Sequence, residues 1–200
     1  MPQKTELTSR QLQAIQMKQK ILETTIRLYQ TQDYESVTIA DICRAAEIST
    51  GNFYHYFKSK DDVLYEGYEK LNRHFEENAD ELPCSPLKRI EYILSVYLGS
   101  IEHNGYRFMS IFLHHEILQR VSYEDTPMRS TFIMLRDALE EAVSVGELKD
   151  ADVSVLFYDI YRLLKGTTFD WVVRQGAFSL RDEFFRIYHQ MLIPYSPVSD

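Results

Sequence analysis

Three residues of the kind that cap helix N-termini, Thr38, Ser49 and Ser59, crowd into residues 38–64, TIADICRAAEISTGNFYHYFKSKDDVL. Each start needs its own cap and first turn, so this stretch builds short helices joined by tight turns. Thr38 is followed at the third position by Asp41, an acidic relative of the capping-box glutamate. The helix it opens turns Ile39, Ile42, Cys43 and Ala46 inward, and Ala45 and Ala46 are small enough for close helix–helix approach. Glu47-Ile48 makes the turn, Ser49 caps again, and the next helix runs only from Thr50 to about Tyr56. A helix of about two turns does not stand alone in water, so its neighbours must hold it. Phe53 and Phe57, spaced one turn apart, supply the held face. Ser59 caps a third start, with Asp61 and Asp62 where the helix dipole favours acids.

The rest of the chain reads as helix after helix. A first helix spans about residues 10–31, with Leu12, Ile15, Gln19, Leu22, Ile26 and Tyr29 in one stripe. The helix begun at Lys60 continues to about residue 80, and Pro83 and Pro86 end it. Ile90, Ile93, Leu94, Tyr97 and Ile101 form the next apolar stripe, stopped by Asn104-Gly105. Phe108, Ile111, Phe112, His115 and Leu118 follow, then Phe132, Leu135, Leu139 and Val143 up to Gly146. Residues 151–175 are apolar almost all round, so one side is expected to face the chain's own core and the other a second subunit. Residues 180–193 repeat that character with Phe184, Ile187, Tyr188, Met191 and Leu192. The expectation is an all-α protein of about nine helices. Residues 1–60 would form a three-helix N-terminal domain, a fourth helix over about 60–80 would link it, and 81–200 would form a helical regulatory and dimerisation domain.

Charge is unevenly shared. The net charge is −8, yet residues 1–60 carry eight Lys/Arg against six Asp/Glu and the remainder carries fourteen against twenty-four. The basic end is the end holding the crowded stretch, and an acidic body would keep a polyanion there. Two lone cysteines, Cys43 and Cys84, fit a reducing compartment, and no apolar run approaches a membrane span. The expected location is the cytoplasm, without membrane contact. No nucleophile–base pair, glycine-rich phosphate loop or paired-carboxylate signature assembles, so the chain does not read as an enzyme. His103, His114, His115 and Glu116 lack the i, i+4 spacing of helical metal ligands, and neither metal nor cofactor is expected.

Residues 38–57 meet the demands of a helix-turn-helix: a small-residue contact, a turn, and a second helix whose N-terminal residues point outward. The outward set is Thr50, Gly51, Asn52, Tyr54 and His55. Gly51 costs a helix about 1 kcal/mol relative to Ala, which makes sense where the backbone approaches another surface closely. Thr38-Ile39-x-Asp41-Ile42-x-x-Ala45-Ala46-x-Ile48-Ser49-x-Gly51-x-Phe53-Tyr54-x-Tyr56-Phe57-Lys58-Ser59-Lys60 resembles the DNA-binding domain of TetR-family transcriptional regulators. The resemblance implies that Thr50, Gly51, Asn52, Tyr54 and His55, behind the Ser49 cap, face the major groove. It implies that Thr38, Tyr56 and Lys60 grip phosphate, with Lys58 beside them. Asn52 and Phe53 depart from the Thr or Ser and the Leu or Ile that many members carry there.

The function so implied is a homodimeric, ligand-responsive regulator, a repressor that binds a palindromic operator and is released by a small-molecule effector. Residues 151–175 and 180–193 would form the dimer interface. Tyr97, Tyr106, Phe112, His115, Tyr161 and Phe169 are the candidate effector-lining residues, on helical phase and aromatic character alone. The alternative is the same DNA-binding head controlled by a protein partner, with no small-molecule effector.

Overall fold

The computed structural model describes residues 8–78, 81–119 and 129–196. Among the described residues there are nine α-helices and no strand. They are α1 (Ser9–Tyr29), α2 (Ile39–Ala46), α3 (Thr50–Tyr56), α4 (Lys60–Glu77), α5 (Pro86–Asn104), α6 (Tyr106–Gln119), α7 (Arg129–Ser144), α8 (Val153–Val173) and α9 (Leu180–Leu192), followed by a short 3-10 turn, Ile193–Tyr195. The chain divides into two compact units, Met1–Lys70 and Leu71–Asp200, and the division falls within α4.

The first unit is built around the caps read from the sequence. The Thr38 hydroxyl accepts from the Asp41 N–H while the Asp41 carboxylate accepts from the Thr38 N–H and hydroxyl, a complete capping box. Those bonds from Thr38, its hydroxyl first, lower the Asp41 carboxyl from its ordinary range. Glu47 ends α2 in the left-handed region at φ 54°, and Ser49 caps α3 by accepting from the Asn52 N–H. Ser59 does the same for Asp62 at the start of α4, and Asp62 reaches back to the Lys58 N–H. Tyr29, Val37, Ile42, Ala46, Phe53 and Val63 are fully buried and form the core of this unit. Each large side chain so buried contributes about 1.5–3 kcal/mol.

Two expectations for this unit are corrected. The α1 stripe does not bury along its whole length: Leu12 is 45% exposed, and continuous burial begins only at Ile21. The small-residue contact of α2 is made by Ala46 alone, since Ala45 faces outward. In both cases the periodic pattern runs past the part of the helix that has a neighbour.

In the second unit, two helices are capped by carboxylates distant in sequence. Glu147 accepts from the Leu87 N–H at 2.7 Å, beside the Ser85 cap and Pro86 at the first turn of α5. Glu102 accepts from the Leu180 N–H at 2.7 Å and so fixes the start of α9. The core contains Ile90, Leu94, Tyr97, Phe112, Leu135, Phe157, Ile160, Phe184 and Tyr188. Leu118, placed in the apolar stripe of α6 by its phase, is exposed; Phe108, Met109 and Phe112 are buried in that helix. No described helix is long and apolar enough to cross a membrane.

Candidate nucleic-acid interface

α3 has one held face and one presented face. Phe53 is fully buried, packs 5.8 Å from the Phe57 ring, and fixes the rotation of the helix about its axis. That rotation leaves Thr50, Gly51, Tyr54 and His55 exposed and Asn52 half-buried. Among the described residues, none exchanges a hydrogen bond with the side chains of Thr50, Asn52, Tyr54 or His55. The face therefore offers a hydroxyl, an amide, a phenol and an imidazole that the fold itself does not use. Tyr54 stands edge-on to Phe53 at 5.7 Å, and His55 edge-on to Tyr56 at 4.8 Å.

Gly51 has no structural need to be glycine. A Cβ built there meets only the Ser49 Oγ, at 3.9 Å, and its backbone is ordinary helix. The space it leaves is on the presented face, where an outside surface would use it.

The positioning residues differ among themselves. Lys58 and Tyr56 flank the face, Lys58 exposed and Tyr56 half-buried. The Thr38 hydroxyl is already engaged with Asp41. Lys60 lies across the chain joining α1 to α2, with Nζ 2.8 Å from the Tyr34 carbonyl oxygen and 3.2 Å from that of Val37. Lys18, which the motif does not include, binds Glu66 at 3.2 Å and lies over the Phe57 ring, so it steadies α4 and the base of α3.

In the second unit the structure gathers some of the effector candidates and separates others. Tyr97 packs 6.2 Å from Phe132, which in turn packs 5.3 Å from Tyr161. Burial raises the Tyr97 phenol well above its ordinary range, with Glu116 and Tyr161 adding to it, so the hydroxyl is a neutral donor. Phe112 is buried in α6 and His115 is half-buried. Tyr106 lies elsewhere, beside Gly176 and under its own neighbour Arg107. Phe169 is 58% exposed on α8, unlike the buried Tyr97 and Phe112. The Glu116–Lys165 pair, held at 2.6 Å with the ammonium 5.6 Å from the Tyr161 ring, belongs to this cluster and was missed. The two partners lie 49 residues apart, a pairing that no local pattern reveals.

α8 is not buried on every side within one chain. Val155, Arg162, Gly166, Phe169 and Val173 recur at helical spacing and are all exposed. A Cβ built on Gly166 meets nothing within 4 Å, so the middle of this stripe is flat and open.

Residues 21–66 match the family model for bacterial regulatory proteins of the tetR family. The chain is 26% identical over 164 residues to the HTH-type transcriptional repressor KstR2 of Mycolicibacterium smegmatis, covering 76% of this chain and 75% of that one. In fold it resembles FadR of Bacillus subtilis, solved with stearoyl-CoA, at TM-score 0.67 and 20% identity over 88% of this chain and 97% of that one. It also resembles Thermus thermophilus FadR, solved with lauroyl-CoA, at TM-score 0.62 and 16% identity over 92% and 99%.

Proposed function

We propose that the chain is a DNA-binding regulator of the TetR family, which acts as a homodimeric repressor released from its operator by a small-molecule effector. The observation that carries the DNA-binding part is the presented face of α3, whose polar side chains find no hydrogen-bond partner among the described residues. Thr50, Gly51, Asn52, Tyr54 and His55 enter the major groove, and Asn52 is suited to bond adenine at N6 and N7. The Ser49 hydroxyl, Tyr56 and Lys58 lie at the edge of that face, where phosphate contacts set the register. Thr38 contributes its place at the start of α2.

One helix this short reads only a few base pairs, so a second copy supplies the second half-site, about 34–36 Å away. The exposed stripe of α8, with Gly166 at its centre and Val155, Phe169 and Val173 along it, is the surface on which two copies meet, together with α9. Gly166 lets the two α8 helices cross closely, and the apolar residues fill the seam. The aromatic cluster around Tyr97, Tyr161 and the Glu116–Lys165 pair is where an effector acts. Its binding favours one of two dimer arrangements and so changes the fraction able to span both half-sites.

Gly51→Ala separates reading from folding. Alanine is expected to raise thermal stability by about 0.5–1 kcal/mol on helix propensity. It should weaken DNA binding at the same time, because a methyl group stands where the backbone meets the groove. Equal losses in both would mean that Gly51 serves the fold alone.

The whole proposal is tested by enriching duplexes from a randomised pool, then following binding against salt and against added compounds. Enrichment of an inverted repeat, with affinity falling steeply as salt rises, is the expected result. Long-chain acyl-CoA thioesters are the first compounds to add, since two of the fold neighbours carry them, and native mass spectrometry reports any molecule that co-purifies. No enrichment over the starting pool would remove the DNA-binding role.

A further inference from the structure

By its place in the motif Lys60 belongs with the phosphate-gripping residues, but its surroundings give it other work. Its ammonium donates to the carbonyl oxygens of Tyr34 and Val37 and sits 3.8 Å from the centroid of the Tyr34 ring. The Tyr34 hydroxyl donates to Asp61, the residue after Lys60 at the start of α4. Tyr34 also packs against the fully buried Tyr29, 5.5 Å between rings, at the end of α1. One side chain and its neighbour therefore tie the α1–α2 connector to α4 from both ends.

The connector needs this. Among the described residues no backbone N–H reaches the Tyr34 or Val37 carbonyl, whereas Asp33 and Leu28 carbonyls are taken by Ser36, Thr31 and Gln32. Partly buried carbonyls without donors cost free energy, and Lys60 satisfies two of them with one compact ammonium. Val37 is fully buried and immediately precedes Thr38, the cap of α2. Whatever holds the Val37 carbonyl sets where α2 begins, and α2 carries α3 through the Glu47 turn. To reach a phosphate, Lys60 would have to leave both carbonyls and the ring face together.

We propose that Lys60 is a positioning residue, which fixes the α1–α2 connector and thereby the start of α2, and does not itself contact phosphate. Its local half stands on the first unit alone; its consequence for DNA rests on the function proposed above. A planar guanidinium keeps the charge but does not fit between two carbonyls as an ammonium does. Lys60→Arg should therefore preserve the charge available to phosphate while loosening the connector.

The test combines hydrogen exchange with the salt dependence of binding to a duplex enriched from the randomised pool. In Lys60→Arg and Lys60→Met, amides of residues 36–42 should exchange about tenfold faster or more, while those of α8 and α9 keep their protection. The slope of log affinity against log salt should stay that of the unaltered protein in both variants. A phosphate contact predicts a different pattern: a slope flatter by about 0.9 per head in Lys60→Met, restored in Lys60→Arg. A slope that flattens in Lys60→Met, or a connector whose exchange is unchanged in both variants, overturns the proposal. Tyr34→Leu, which removes the ring but no charge, should also speed connector exchange, and protection equal to that of the unaltered protein would count against it. If the unaltered protein enriches no duplex, the DNA-binding role fails while the exchange result still decides what Lys60 does.

Discussion

Phe169→Arg is expected to convert a dimer into a monomer at micromolar concentration and to take most of the DNA affinity with it. Phe169 is 58% exposed near one end of the α8 stripe, one turn beyond Gly166, with Val173 a further turn along. A large aromatic desolvated in an interface commonly carries about 2 kcal/mol or more. A two-fold interface uses it twice, so the change costs the dimer about 4 kcal/mol before the buried arginine charges are counted. Monomers would retain one recognition helix each and lose the gain from linked half-sites. Sedimentation velocity reads the first effect and duplex binding the second. Ile117→Arg is the control: Ile117 is 70% exposed on α6, outside the two helices of the proposed interface, and should leave the dimer intact. An unchanged Phe169→Arg dimer would place the interface elsewhere.

The second large effect is a contrast between neighbours. Phe53→Ala should destabilise the first unit by about 3–5 kcal/mol, because a fully buried ring leaves a cavity beneath α3. Against a usual domain stability of about 5–15 kcal/mol, that is enough to lower the denaturation midpoint sharply. Asn52→Ala, one residue away, removes a side chain that makes no hydrogen bond within the described residues. Its effect on stability should stay within about 0.5 kcal/mol, while each half-site loses about 1–3 kcal/mol of discrimination. Urea titration beside duplex binding separates the two. If Asn52→Ala unfolds the protein, or leaves affinity for the enriched duplex unchanged, the division of α3 into a held and a presented face is wrong.

What could be read from the sequence follows how local each interaction is. The Thr38, Ser49 and Ser59 caps close within three residues, so the residues that form them also announce them. The two faces of α3 were equally legible, since Phe53 and Phe57 fix one and helical geometry fixes the other. The Glu147 and Glu102 caps join residues 60 and 78 positions apart, and nothing near either carboxylate predicts its partner. Phe169 shows a different limit. A helix apolar on all sides reveals that it has two partners but not which face meets which, so a ring on the outer stripe looked like one lining the core. Lys60 shows a third: its residue type fits phosphate, and only the folded connector reveals the two carbonyls it holds.

Two copies of this chain are expected to read two half-sites in fixed register. The most direct test is the mass and affinity of the complex with an enriched inverted repeat, measured with and without five base pairs inserted between the half-sites. The insertion adds about 17 Å and rotates one half-site by about half a turn of the duplex. Two chains bound to each duplex, with affinity collapsing after insertion, is the predicted result. A single chain bound at full affinity, or binding indifferent to the insertion, would contradict it.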